Sequence, residues 1–184
     1  MKQNNNEHGK LIAPGEVRLV RLLPGPIERV WDYLTDPAKR ARWICGGSVE
    51  QRAGGRIEFK MHHKNLAPHE TPPDEYKHVH DPGVDFEGVV LRCEPPRLLV
   101  HTFGGPDSEV TIELTPEGDQ VRLVLTHRAK GEDLPDLHSF ASGWHIHTDH
   151  LIALLSGAPQ PPLWSVMSRL KADYAKIVHG KANP

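Results

Sequence analysis

The sequence predicts an α+β domain, in which a curved antiparallel sheet wraps over one long helix near the C-terminus and a further helix is added behind it. Three observations carry this. Two β-rich runs flank a Glu94-Pro-Pro-Arg97 corner. Proline cannot donate to a ladder, so the pair at 95–96 ends one strand and turns the chain into the next, as an antiparallel hairpin with a mostly buried face. Other runs of period two precede and follow this hairpin. From about Leu134 the apolar period changes from two to 3.6, which marks a long helix. A sheet packed over that helix is the simplest layered solution.

The elements follow in order. The polar start, Met1-Lys-Gln-Asn-Asn-Asn-Glu-His8, reads as part of a disordered lead-in over residues 1–15. Residues 16–23 alternate as a first strand, which Pro24-Gly25-Pro26 breaks. Pro26 suits the first helical position, and Ile27, Val30, Trp31 and Leu34 fall at i, i+3, i+4 and i+7. Asp36 caps a second short helix with Pro37 at its first position, running toward Trp43. Gly46-Gly47 and Gly54-Gly55 bracket a strand at about 48–52, and Ile57, Phe59 and Met61 alternate with charged residues as a half-buried strand.

Residues 62–83 hold four prolines and five histidines. They read as a long surface loop with one helical turn after Pro72-Pro73, and as the most mobile internal segment. After the hairpin at 84–103, Val110, Ile112 and Leu114 mark a strand, and Thr115–Asp119 a turn. Val121, Leu123, Leu125 and His127 form the inner register of the next strand. Phe140, Trp144, His147, Leu151, Leu154 and Leu155 share one face of a helix over about 137–156. Ala158–Pro162 is a linker, and Trp164, Met167, Leu170, Lys171, Tyr174 and Ile177 mark an added amphipathic helix at 163–178. The chain thus divides into a lead-in at 1–15, a domain at 16–157, and a linker with an added helix at 158–184. The stripe on that last helix must be covered by the chain's own sheet or by a second copy, and a homodimer through it is the favoured expectation.

A length of 184 residues suits one domain with a real core. A formal net charge of −2 leaves no electrostatic footprint for nucleic acid or an anionic membrane surface. No apolar run is long enough to span a bilayer. The N-terminus has no apolar signal region, and Cys45 and Cys93 form no CxxC, which suits reduced thiols in a cytoplasmic protein. No GxSxG, P-loop or dinucleotide fingerprint is present, so the motifs name no cofactor. Thirteen histidines are the one compositional oddity.

The order and residues resemble the SRPBCC (START-like, helix-grip) superfamily and, within it, homologues of the C-terminal domain of the activator of the heat-shock-protein-ninety ATPase. The matching motifs are Arg21-Leu-Leu-Pro-Gly-Pro-Ile-Glu-Arg-Val30-Trp31, Asp36-Pro37 with Trp43, Gly54-Gly55-Arg56, Pro95-Pro96-Arg97-Leu98, and Gly143-Trp144 followed by Leu151, Leu154 and Leu155. They run over roughly residues 16–157. The resemblance implies a helix-grip fold with a cavity between the sheet and the long helix, often taking small apolar molecules, and in some relatives a cyclisation or hydrolysis. Two features depart from the pattern: the length of the loop at 62–83 and the helix at 163–178. A shared fold does not carry a reaction across.

Within such a cavity, His127 at a strand end and His147 on the apolar helix face are the candidate polar handles, because imidazole titrates near neutral pH. The alternative is a pair of hydrogen-bonded core histidines. Trp144, Phe59, Leu125 and Leu151 complete the expected ligand-binding set with an inward-pointing Arg21, which either clamps an anionic group or pairs with Glu50 or Glu58. His145, His147 and His150 look like a metal triplet, but helical geometry keeps His145 off the face that His147 and His150 share. The loop histidines and Glu70 or Asp81 match no metal motif. No catalytic residue, metal ligand or cofactor is therefore assigned. Three functions fit: a cytoplasmic binding module for a small apolar or amphipathic ligand, an enzyme using His127 and His147 as acid and base, and a co-chaperone-like interaction protein.

Overall fold

In the computed structural model, residues 5–130 and 137–180 are described, the last three through their backbone alone. The strands are β1 (Lys10–Ala13), β2 (Glu16–Pro24), β3 (Arg56–Met61), β4 (Val84–Glu94), β5 (Leu98–Thr102), β6 (Ser108–Glu117) and β7 (Gln120–Ala129). The helices are α1 (Ile27–Thr35), α2 (Pro37–Arg40), α3 (Lys77–His80), α4 (Leu137–Ser156) and α5 (Leu163–Gly180), with 3-10 turns at His63–Asn65 and Asp74–Tyr76. One antiparallel sheet runs in the order β1-β2-β7-β6-β5-β4-β3.

Strand alternation sets the core. β7 places Leu125 opposite Leu19 of β2 and Ile112 of β6, and Leu123 opposite Leu114. All five are buried. In the hairpin, Val90 points in, while Val89 and Leu91 face out at 46% and 39% exposure. α1 buries Ile27, Val30, Trp31 and Leu34, as their spacing predicts. These side chains join Trp144, Leu151 and Leu155 of α4 in the main core. Phe140 and Leu154, expected to be buried, are only partly so. The expected start of the helical period near Leu134 lies outside the described residues.

α4 is buried on a second side as well. Its Ala141 and Ile146 pack with Leu163, Trp164, Met167, Leu170 and Tyr174. The stripe on α5 is therefore covered within the chain, and it requires no second copy. A helix enclosed on both sides must satisfy its own polar groups. Thr148 Oγ1 donates to Trp144 O at 2.8 Å, His145 Nδ1 meets Tyr174 OH at 3.0 Å, and His150 Nε2 donates to Pro161 O at 2.9 Å.

Other expectations need correction. Part of the supposed lead-in is tied down: β1 pairs with β2, and Gly9 N donates to Tyr174 OH at 2.6 Å. Backbone donors at a sheet edge and a docked helix supply its order, while residues 1–4 lie outside the described residues. The strand expected at 48–52 makes only isolated bridges, Gly46 to Lys60 and Val49 to Ile57. The segment kinks at Gly47, where φ is +103° and an added Cβ would sit 2.4 Å from Glu58 O. Pro26 precedes α1 as its N-cap instead of opening it, whereas Asp36 caps α2 as expected, accepting from Lys39 N at 2.9 Å. β6 runs on to Glu117, which leaves a tighter turn than 115–119. Among the described residues, no helix is long and apolar enough to cross a membrane.

Candidate functional site

The site is built where the loop at 62–83 meets α4 and α5. Glu70 reaches across the chain to α5, and its two carboxylate oxygens accept from Leu163 N at 2.7 Å and Trp164 N at 2.9 Å. A carboxylate at a helix N-terminus satisfies orphan donors and favours the helix dipole. Trp164 then stacks on His63 and Tyr76, each at 5.5 Å between centroids, and donates through Nε1 to His80 Nδ1 at 3.1 Å. Lys171 of α5 pairs with Glu75 at 2.6 Å. The loop and the added helix thus cover one another.

Between them and the end of the sheet lies a cavity of about 190 Å³. Met61, His63, Tyr76 and Val79 wall it from the β3 end and the loop, and Phe103 from the sheet side. Phe140, Gly143, Trp144 and His147 face it from α4, and Trp164 and Met167 from α5. A Cβ added at Gly143 would meet only Met167 Cε, at 4.0 Å. The space directly beneath the sheet is filled instead. Arg40 is buried there, donating to Gly47 O at 2.7 Å and Glu58 O at 3.1 Å. It lies 5.5 Å from the Phe59 ring centroid, beside a gap of only about 20 Å³.

The polar feature of the larger cavity is an imidazole pair. His147 Nδ1 lies 2.8 Å from Trp43 O, and its Nε2 lies 3.1 Å from His63 Nε2. A carbonyl only accepts, so neutral His147 carries its proton on Nδ1 and offers a lone pair at Nε2. His63 Nε2 must then be the donor within the pair. Burial pushes His63 down to about 4, helped by repulsion from His150, His80 and His62, and it holds His147 well below 6.5. Both rings are neutral at ordinary pH.

The residues singled out in the sequence divide between this cavity and its surroundings. Trp144 and His147 line it. His127 does not; its Nδ1 accepts from Trp144 Nε1 at 2.9 Å and its Nε2 meets Ser108 Oγ at 2.8 Å, so both ring nitrogens are occupied. Burial holds His127 down to about 4. Phe59 stacks on Phe86 at 4.7 Å, and Leu125 and Leu151 are core. Arg21 is fully buried, as its register predicts, but its partner is neither Glu50 nor Glu58. It lies 3.7 Å from Asp149 and donates to Glu7 O at 3.0 Å, because α4 covers that part of β2. Burial raises Asp149 to about 6, against the opposing pull of Arg21. Among the described residues, no group of three His, Cys, Asp or Glu is placed to hold a metal ion. Sequence reasoning did not place His63, Tyr76, Val79, Phe103 or Trp164 at the cavity; for the loop members, a few aromatic and apolar residues in a proline-rich segment were the signal, and for Phe103 and Trp164 it was their place in the hairpin and on the α5 stripe.

Residues 24–156 match the family model described as Activator of Hsp90 ATPase homolog 1-like protein. The chain belongs to this family. The match takes in the loop at 62–83 and stops short of α5. Among solved structures, the protein encoded by gene BPP1335 of Bordetella parapertussis is 39% identical, with a TM-score of 0.76 over 93% of this chain and 90% of that one. Its likeness therefore reaches beyond the family-matched stretch. CalU16 from Micromonospora echinospora is 26% identical, with a TM-score of 0.62 over 89% of this chain and 88% of its own. EF2215 from Enterococcus faecalis, a conserved protein of unknown function, shares the fold at 14% identity, with a TM-score of 0.63 over 88% and 85% of the two chains. No curated protein matches the chain significantly.

Proposed function

We propose that this protein is a binding module for a small apolar or amphipathic molecule, held in the cavity between α4, α5 and the loop at 62–83. One observation carries the reading. Gly143 sits inside α4 at a helical position that costs about 1 kcal/mol relative to alanine. Nothing within 4.0 Å but a flexible methionine tip would oppose a side chain there. The packing leaves room for a side chain at this point, and the glycine keeps that room open to the cavity. The walls add what such a site needs: aromatic faces from Trp144, Trp164, Phe103 and Phe140, and few polar groups. A cytoplasmic setting belongs to the same reading, since Cys45 and Cys93 are both free.

The test fills the cavity without disturbing the fold. Gly143→Ala should raise stability by up to about 1 kcal/mol, and Gly143→Leu should stay folded by circular dichroism. Calorimetric titration with a panel of two-ring aromatics (2-naphthol, 2-naphthoate and 2-naphthylmethylammonium) should show binding of at least one to the native protein and its loss in Gly143→Leu. Binding of none, or unchanged binding in the folded Leu variant, sinks the proposal.

A further inference from the structure

Given that binding reading, on which this rests, the walls also define the charge and size of the occupant. Among the described residues that line the cavity there is no Asp, Glu, Lys or Arg. Among the described residues, two ionic groups of the loop and α5 are committed elsewhere: Glu70 to the start of α5, and Lys171 to Glu75. The polar side chains in the wall are His63, His147, Ser139 and Tyr76, and the Tyr76 hydroxyl and His63 Nδ1 are buried without a hydrogen-bond partner. We infer that the cavity takes a neutral one- or two-ring aromatic molecule bearing a hydroxyl or amide-like group beside the His63–His147 pair, and that it rejects the matching carboxylate.

The size follows from the volume. A cavity of 150 Å³ lined by Leu, Ile and Phe accommodates benzene. One of about 190 Å³ with aromatic walls suits a single ring with substituents or two fused rings. The flanking rings of Trp144 and Trp164 favour a flat body.

The charge follows from the hydrogen bonds. A carboxylate is acceptor-only and needs donors or a cation. In the imidazole pair the Nδ1 proton of His147 goes to Trp43 O, and the Nε2 proton of His63 goes to His147 Nε2. No imidazole N–H is left over for an anion, and burial keeps both rings from taking up the proton that would supply one. An anion entering here would lose its hydration and find only the neutral hydroxyls of Tyr76 and Ser139, with no lining cation among the described residues, whereas the unpartnered His63 Nδ1 offers a lone pair that only a donor can use. A hydroxyl both donates and accepts, so it can join the pair by trading one hydrogen bond for two. A cationic amine fares better than a carboxylate, since it meets aromatic faces and a lone pair, but it still lacks a counter-charge.

The panel above separates this inference from the reading beneath it. On the native protein at about pH 7, 2-naphthol should bind at least about tenfold tighter than 2-naphthoate, the two differing chiefly in charge and donor capacity. His63→Lys places a cation in the wall and should narrow or invert that ratio. His63→Phe, which keeps the ring and removes the donor, should weaken 2-naphthol and leave naphthalene unchanged. If 2-naphthoate matches or exceeds 2-naphthol on the native protein, the charge inference falls while the binding module stands. If no member of the panel binds, both fall.

Discussion

The sheet with α1 and α4, and the annex made by residues 62–83 with α5, are held together in different ways. The first is an apolar core whose members repeat at regular spacing along each element, as in Val121, Leu123 and Leu125 or Val30, Trp31 and Leu34. In the annex, α5 packs its own apolar stripe on α4, but the loop is joined to α5 by a few keyed contacts: Glu70 at the start of α5, Trp164 on His63 and Tyr76, and Lys171 on Glu75. A loss within the regular core is felt throughout it, whereas a loss at the keyed junction stays local. The cavity lies where the two regimes meet, with Trp144 from one side and Trp164 from the other.

Acid should expose the difference most strongly. His101 and His127 in the core are lowered to about 4 and His145 to about 3, while His63, His147 and His150 at the junction are also lowered, all chiefly by burial. In the unfolded chain each titrates near 6.5, so below that pH the unfolded state binds more protons than the folded one. The stability these groups contribute is complete above about 6.5, falls as pH drops, and is fully lost once the folded values are passed. Asp149 opposes this. Its folded value is raised to about 6, so its contribution is present in acid and is lost as pH rises through that value. Six histidines outweigh one carboxyl, so the urea midpoint should fall steeply between about pH 6.5 and 4.5. Hydrogen exchange should show the annex opening first, because His63, His147 and His150 repel one another once charged. A midpoint constant over that range, or β6 and β7 losing protection before α5, would break the comparison.

Trp144→Ala tests the core. The side chain is 5% exposed and donates to His127, so its loss should cost about 3–5 kcal/mol and lower protection throughout the sheet. A folded variant with an unchanged midpoint would contradict this.

Glu70→Ala tests the annex with a smaller effect. It strands two helix-terminal donors and should cost about 1–3 kcal/mol. The damage should stay local, with faster exchange in residues 62–83 and the first turns of α5 and little change in β6 and β7. Uniform loss across both regions would mean that the annex is not a separate unit.

The same division governs what can be read from the sequence. α1, the β4–β5 hairpin, the inner register of β7 and the span of α4 are legible because their patterns are local and periodic. The inward direction of Arg21 is legible too, but its partner is not, since Asp149 belongs to a helix whose placement over β2 is decided by tertiary packing. Alternation along β4 leaves open which face is buried, and only the bulge between Val90 and Arg92 and its neighbours settle it. The buried histidines of α4 resemble a metal or catalytic cluster as long as the helix is thought to have one wet side. Once α5 covers that side, they are aromatic residues with hydrogen-bonding edges in an enclosed place. The cavity was least legible of all, because Glu70 meets Leu163 across 93 residues. No periodicity within 62–83 announces that its histidine and tyrosine will face a tryptophan on another helix.

The reach of Glu70 also bears on descent. A lineage that shed α5 would leave this carboxylate without the two amides it serves and would uncover Ile146. One that trimmed the loop would leave α5 with an uncapped start and Trp164 without its stacking partners. Either half alone exposes what the other covers, so a chain that lost one segment would have to repair the junction at the other, although 93 positions separate Glu70 from Leu163.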